Sequence, residues 1–139
     1  MTFVDTNIVI DILSGDDVWG DWSIDRLSDA RRDGPVLFNA IILAELSRNY
    51  ASLADLHGAL SFLGLVSEPI DDRTAFIAGQ RFATYRGMRD RDKAYRVLPD
   101  FFIGAHAIVC NMALLTRDPV HYRRYFPELI LITPETDRT

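Results

Sequence analysis

The stretch Thr2-Phe3-Val4-Asp5-Thr6-Asn7-Ile8-Val9-Ile10-Asp11-Ile12-Leu13-Ser14-Gly15 changes its period in the middle. Thr2 to Asp5 reads as a short buried strand, and Thr6-Asn7 then opens an apolar helical turn, Ile8 to Leu13, that stops at Ser14-Gly15. This is a strand-to-helix junction with an acid at its turning point. In an open parallel sheet, ligands bind outside the carboxyl ends of the strands, which is where Asp5 falls.

The same alternation continues outward. Asp17 to Asp33 carries Val18, Trp19, Trp22, Ile24, Leu27 and Ala30 at mainly helical spacing, and Gly34-Pro35 terminates it. Pro35 to Phe38 reads as a second strand, Asn39 as the N-cap of a helix from Ala40 to Tyr50, and Ser52 as the start of another helical segment ending near Gly64. Leu65 to Ile70 resembles a third strand, after which Asp71 or Asp72 caps a long helix through about Arg86, ended by Gly87. Pro99 suits the first turn of a helix running to about Asn111, Met112 to Thr116 a strand, Asp118-Pro119 the opening of a last short helix, and Leu129 to Thr133 a final strand. Strands alternating with helices predict an α/β fold with a central parallel sheet covered on both faces and right-handed crossovers. The expected organisation is one domain over residues 1–135, with a frayed tail at 136–139.

A chain of 139 residues, 48% hydrophobic and 25% charged, fits one soluble globular core. Its single cysteine, Cys110, lies in the apolar run Ala107 to Leu115, has no intramolecular disulfide partner and suits a reducing compartment. The amino terminus lacks a basic segment followed by a long apolar one, and no apolar stretch approaches the roughly 20 residues that span a bilayer, so the expected location is the cytoplasm, with no membrane partner. A net charge of -5 excludes coating of nucleic acid through a general positive field. Phosphate binding must then be local. Arg86, Arg89, Arg91, Lys93 and Arg96 face Asp90 and Asp92 alone within their segment, which makes it the expected phosphate-contacting stretch, with Arg117 as a second candidate.

Asp118 follows the Met112 to Thr116 strand by two residues, and Asp100 lies in the predicted first turn of the preceding helix, so Asp5, Asp100 and Asp118 can all reach one end of the sheet. Taken singly, each also fits a helix cap or a favourable dipole position. Glu45 does not, because Ile41, Ile42, Leu43, Ala44 and Leu46 surround it, and an ionised carboxylate on an apolar face needs a cation, a solvent-filled cleft or a partner such as Arg48. Phosphodiester hydrolysis would use such a cluster: a divalent cation polarises the phosphate, lowers the pKa of water and orients in-line attack. Hard oxygen ligands suit magnesium or manganese better than zinc. His57, His106 and His121 show no ligand spacing and Cys110 stands alone in the sequence. A nucleophile elbow, a phosphate loop and a dinucleotide fingerprint are absent.

Four blocks in order then resemble a PIN domain of the VapC toxin type. They are Phe3-Val4-Asp5-Thr6-Asn7-Ile8-Val9-Ile10-Asp11; Ala44-Glu45-Leu46; Pro99-Asp100-Phe101-Phe102-Ile103-Gly104-Ala105-His106-Ala107, with Gly104 where alanine is common; and Leu114-Leu115-Thr116-Arg117-Asp118. The resemblance covers nearly the whole chain and implies a three-layer α/β/α sandwich. It implies that Asp5, Glu45, Asp100 and Asp118 hold Mg2+ or Mn2+, with Asn7 and Thr116 supporting them by hydrogen bonds. It further implies an endoribonuclease that leaves 5′-phosphate and 3′-hydroxyl ends on transfer or ribosomal RNA, a homodimer, and a small antitoxin as partner. Two other classes stay open at this point: a non-catalytic PIN-like interaction module, and a phosphotransfer or nucleotide-binding α/β domain.

Overall fold

Asp5 ends the first strand and caps the first helix at once. The strand β1 (Thr2–Val4) is buried throughout, and the Asp5 carboxylate accepts the Thr6 amide at 2.8 Å to start α1 (Thr6–Ser14). Gly15 stops that helix with φ +64°, a left-handed conformation that a residue without a Cβ adopts freely. The computed structural model describes residues 1–86 and 91–135, the side chains of 86–96 excepted. The rest of its order is α2 (Gly20–Asp33), β2 (Val36–Phe38), α3 (Ala40–Leu46), a 3-10 turn (Ser47–Asn49), α4 (Leu53–Phe62), β3 (Leu65–Ser67), α5 (Asp72–Arg86), α6 (Arg91–Val109), β4 (Ala113–Leu115), α7 (Val120–Tyr125) and β5 (Leu131–Ile132).

All five strands pair in parallel, in the order β3-β2-β1-β4-β5. The chain moves outward from β1 to β2 and β3, then returns past β1 to β4 and continues to β5. Right-handed crossovers in opposite directions place helices on opposite faces, which yields the expected three layers. Between β1 and β4 the winding direction reverses, and neighbouring loops there diverge to open a crevice. Phe3, Val4, Val36, Ile42, Leu114 and Leu115 are at most 4% exposed and form the central core. No helix among the described residues is long and apolar enough to cross a membrane.

Several boundaries differ from the sequence reading. Helix α6 begins at Arg91, so Pro99 lies inside it rather than in its first turn, and Asp100 sits mid-helix. A proline inside a helix removes one backbone hydrogen bond, and the packing of α6 against α5 outweighs that loss. Helix α3 stops at Leu46 and tightens into the 3-10 turn, β3 ends at Ser67 ahead of Pro69, and the last strand shrinks to Leu131–Ile132. Before α2, Asp16 accepts the Val18 and Trp19 amides at 3.1 and 2.7 Å, a turn that delays the helix to Gly20.

Gly104 has a packing reason. A Cβ added there would stand 2.7 Å from the Phe126 ring, itself 2% exposed within an aromatic group with Phe101 and Tyr125. Gly104→Ala therefore overpacks the core, by about 1–3 kcal/mol, against a helix-propensity gain of about 1 kcal/mol. The urea midpoint of the variant should fall while the denaturant slope stays constant; an equal or higher midpoint would show that Phe126 gives way freely.

Candidate metal centre

The crevice between β1 and β4 is a cleft of about 700 Å³. Asp5, Glu45, Asp100 and Asp118 all line it, brought there by the ends of β1 and β4 and by α3 and α6, which touch each other. Their surroundings differ. Asp5 is 4% exposed, while the Asp118 side chain is 72% exposed. Asp118 does not cap α7, whose first turn starts at Val120 without a side-chain cap, so its carboxylate is left to the cleft. Glu45 accepts the Thr6 hydroxyl at 2.8 Å, a partner from α1 rather than Arg48.

Asp5 is held by four donors. One oxygen takes the Thr6 amide, and the other takes the Thr116 hydroxyl at 2.8 Å, the Tyr122 hydroxyl at 3.0 Å and the Asn7 amide at 3.2 Å. Asn7 also reaches Thr116 Oγ1 at 3.3 Å and Asp118 at 3.5 Å, and its carbonyl oxygen faces the Arg117 amide at 3.4 Å. Thr116 Oγ1 in turn accepts the Asp118 amide at 3.1 Å. Asn7 and Thr116 thus tie the loop after β1 to the loop after β4.

Two buried residues that the sequence reading did not assign complete the frame. Tyr122, 1% exposed, donates to Asp5 and is also a hydrogen-bond partner of Asp100, so one phenol stands between two acids. Asp11, 1% exposed, binds Arg117 through Nε at 2.7 Å and NH2 at 3.1 Å and accepts the Ser23 hydroxyl at 3.0 Å. Arg117 therefore anchors the loop after β4 to α1, and its NH1 stands 3.6 Å from Asp118. Tyr122 was detectable as an aromatic four residues beyond Asp118, and Asp11 as an acid one turn beyond Asn7. The side chains of Arg86, Arg89, Arg91, Lys93 and Arg96, the expected phosphate contacts, lie outside the described residues.

Burial pushes the Asp5 carboxyl up to about 6 despite the hydrogen bonds from Thr116, Tyr122 and Thr6, which oppose it. Asp100 rises to about 7, first through burial and then through the charges of Asp5 and Glu45. Tyr122 is driven well above its usual value by burial and the same acids, so it remains a donor. A gathering of acids that resists ionisation is completed by positive charge.

The donor set consists of hard oxygens, as magnesium or manganese requires. Among the described residues, the trio whose ligand atoms all lie within 4.8 Å of one another is Glu68, His106 and Cys110, so no three of the cleft acids gather that closely. Such spacing leaves room for waters between the carboxylates and a cation. The sequence spacing, which shows no ligand pattern for His57, His106, His121 or Cys110, does not reveal that His106 and Cys110 meet Glu68 in the fold. Even so, His106 already has partners: its Nδ1 faces the Asn39 amide at 3.0 Å, and the ring hydrogen-bonds to the Pro69 backbone.

A family model described as PIN domain matches residues 2–127. No curated protein sequence matches the chain. Among solved structures, the chain is similar to VapBC2 from Rickettsia felis, solved bound to a DNA fragment from their promoter, at TM-score 0.68 and 20% identity over 95% of this chain and 97% of that one. It is similar to a toxin-antitoxin complex from Klebsiella pneumoniae at TM-score 0.63 and 23% identity, over 96% and 98% of the two chains. VapBC-1 from nontypeable Haemophilus influenzae matches at TM-score 0.66 and 16% identity, over 95% and 96%.

Proposed function

The chain belongs to the PIN domain family, and from that premise we propose that it is a Mg2+- or Mn2+-dependent endoribonuclease, the toxin of a toxin–antitoxin pair. The observation that supports this reading most is the meeting of four acids from separate elements in one cleft at the sheet's switch point, two of them resisting ionisation. An interaction module without catalysis has no use for so costly a cluster, and a phosphotransfer domain has no use for Glu45 in the same cleft.

Asp5, Glu45, Asp100 and Asp118 would hold the cation. When bound, it supplies Lewis acidity toward the phosphate and a nucleophilic water at neutral pH. The four donors on Asp5 fix the angle at which its carboxylate faces the cleft. Asn7 and Thr116 set the distance between the β1 and β4 loops, while Asp11 keeps Arg117 at the rim with one nitrogen face toward Asp118. That face of Arg117 and the basic segment from Arg86 to Arg96 are the proposed phosphate contacts. The half-buried free Cys110 fits a reducing cytoplasm. A small antitoxin and a second copy of the chain are the proposed protein partners, on the support of toxin-antitoxin complexes that share the fold.

Incubating the protein with labelled transfer and ribosomal RNA and Mg2+ or Mn2+ tests the reading. Discrete cleavage that leaves 5′-phosphate and 3′-hydroxyl ends and stops on chelation is expected. Cleavage that survives thorough chelation, or intact RNA under every metal tried, overturns it.

A further inference from the structure

We propose that His121, with Val120 and Pro119 beside it, is a stacking platform for one unpaired nucleobase adjacent to the phosphate that is cut; this rests on the ribonuclease reading above. The three consecutive residues line the same cleft as its acids. Val120 is 72% exposed, so its side chain is open to a ligand in the cleft. His121 is half-buried, and its described contacts are aromatic: its ring runs nearly parallel to Tyr125 at 6.4 Å, 20° between planes, and Tyr85 meets it edge-on at 6.1 Å. Tyr85 and Tyr125 are themselves packed at 5.1 Å, so the histidine is braced from two sides. A braced planar ring loses little freedom when a second ring stacks on it.

Charge makes the same demand. Among the described residues, Asp5, Glu45, Asp100, Asp118 and Glu135 line the cleft with one arginine, Arg117, which is already paired with Asp11. A bound cation and Arg117 would meet the phosphate, and neither engages the base beside it. Contacts with the uncharged face of a base remain, and single-stranded RNA offers such faces because its bases are not paired. His121 follows Asp118 by three residues in the chain and lines the same cleft, which sets the platform beside the acids rather than at a distant rim.

The test compares wild type, His121→Ala and His121→Phe in binding to a short single-stranded RNA, intact or carrying one abasic position moved stepwise along it. Calcium replaces magnesium to slow cleavage, and a parallel magnesium reaction maps the cut. Stacking on an aromatic ring predicts about a 5-fold to 100-fold loss of affinity in His121→Ala, with recovery in His121→Phe to near wild type. The abasic substitution next to the cut should weaken wild type and His121→Phe but add little in His121→Ala, since the same contact is already gone. Thermal melts confirm that all three are folded. Equal losses in the Ala and Phe variants, or an abasic penalty that persists in His121→Ala, overturn the platform while leaving the ribonuclease reading standing. Wild type that neither binds nor cuts RNA overturns both.

Discussion

Asp100→Asn should reduce metal-dependent RNA cleavage by at least about a hundredfold while leaving the fold intact. The change removes one charge from a mid-helix position whose carboxyl is already reluctant to ionise, and it nearly preserves the side-chain shape. Metal binding to the folded state alone stabilises wild type by about 2.7 kcal/mol at a hundredfold excess over the dissociation constant, and the variant should lose most of that increment. Without metal, at neutral pH or above, it should be no less stable than wild type, because one member of a self-repelling group is gone. Asp5→Asn should lose cleavage equally but is the less clean variant. Its amide would meet Thr116, Tyr122 and Asn7, all of which donate to the same carboxylate oxygen, and mismatched donors cost about 1–3 kcal/mol. Melts with and without manganese, beside cleavage of labelled RNA, separate a lost cation from a lost fold. An Asp100→Asn protein that cuts normally removes Asp100 from the site.

What the sequence made legible were features carried by neighbours along the chain. The change of period at Asp5 located the strand-to-helix junction, and the apolar surroundings of Glu45 marked a carboxylate in need of a cleft or partner. Both depend on residues within one turn. Pro99 misled for the same reason: the local rule places proline in a first turn, whereas the contact of α6 with α5 carries the helix back to Arg91. Asp118 invited a capping role that the fold does not give it, since α7 begins two residues later. Asp11 and Tyr122 were not assigned because their partners, Arg117 and Asp5, lie more than 100 residues away in the chain, as the separations of 106 and 117 show. His121 and Glu68 belong to the same class, positions whose neighbours are set by crossover topology alone. The strand order also explains why acids from distant blocks meet, because β1 and β4 become neighbours where the winding reverses.

Apparent affinity for Mg2+ or Mn2+ should rise steeply with pH through the neutral range. In the metal-free protein the Asp5 and Asp100 carboxyls stand at about 6 and about 7, both above the ordinary aspartate value near 3.9. A raised carboxyl makes a stabilising contribution that is fully present below the unfolded value and disappears as pH climbs through the folded one. The metal-free melting temperature should therefore drop from about pH 4 to about pH 7, from these two groups. A cation needs them ionised, so binding expels the protons they hold. Affinity should rise about tenfold per pH unit where Asp100 alone is protonated, more steeply below about 6 where Asp5 joins it, and level off above about 7. Saturating manganese should accordingly flatten the melting temperature against pH across this range, because the metal-bound folded state and the unfolded chain then both keep these carboxyls ionised. Titration calorimetry in buffers of different ionisation enthalpy reads the proton release directly: about one proton per cation is expected near pH 6.5 and close to none near pH 8.5. Asp100→Asn should flatten the upper part of this profile by removing the group that titrates there. Affinity independent of pH across this range, with no proton released on binding, would place the cation away from Asp5 and Asp100.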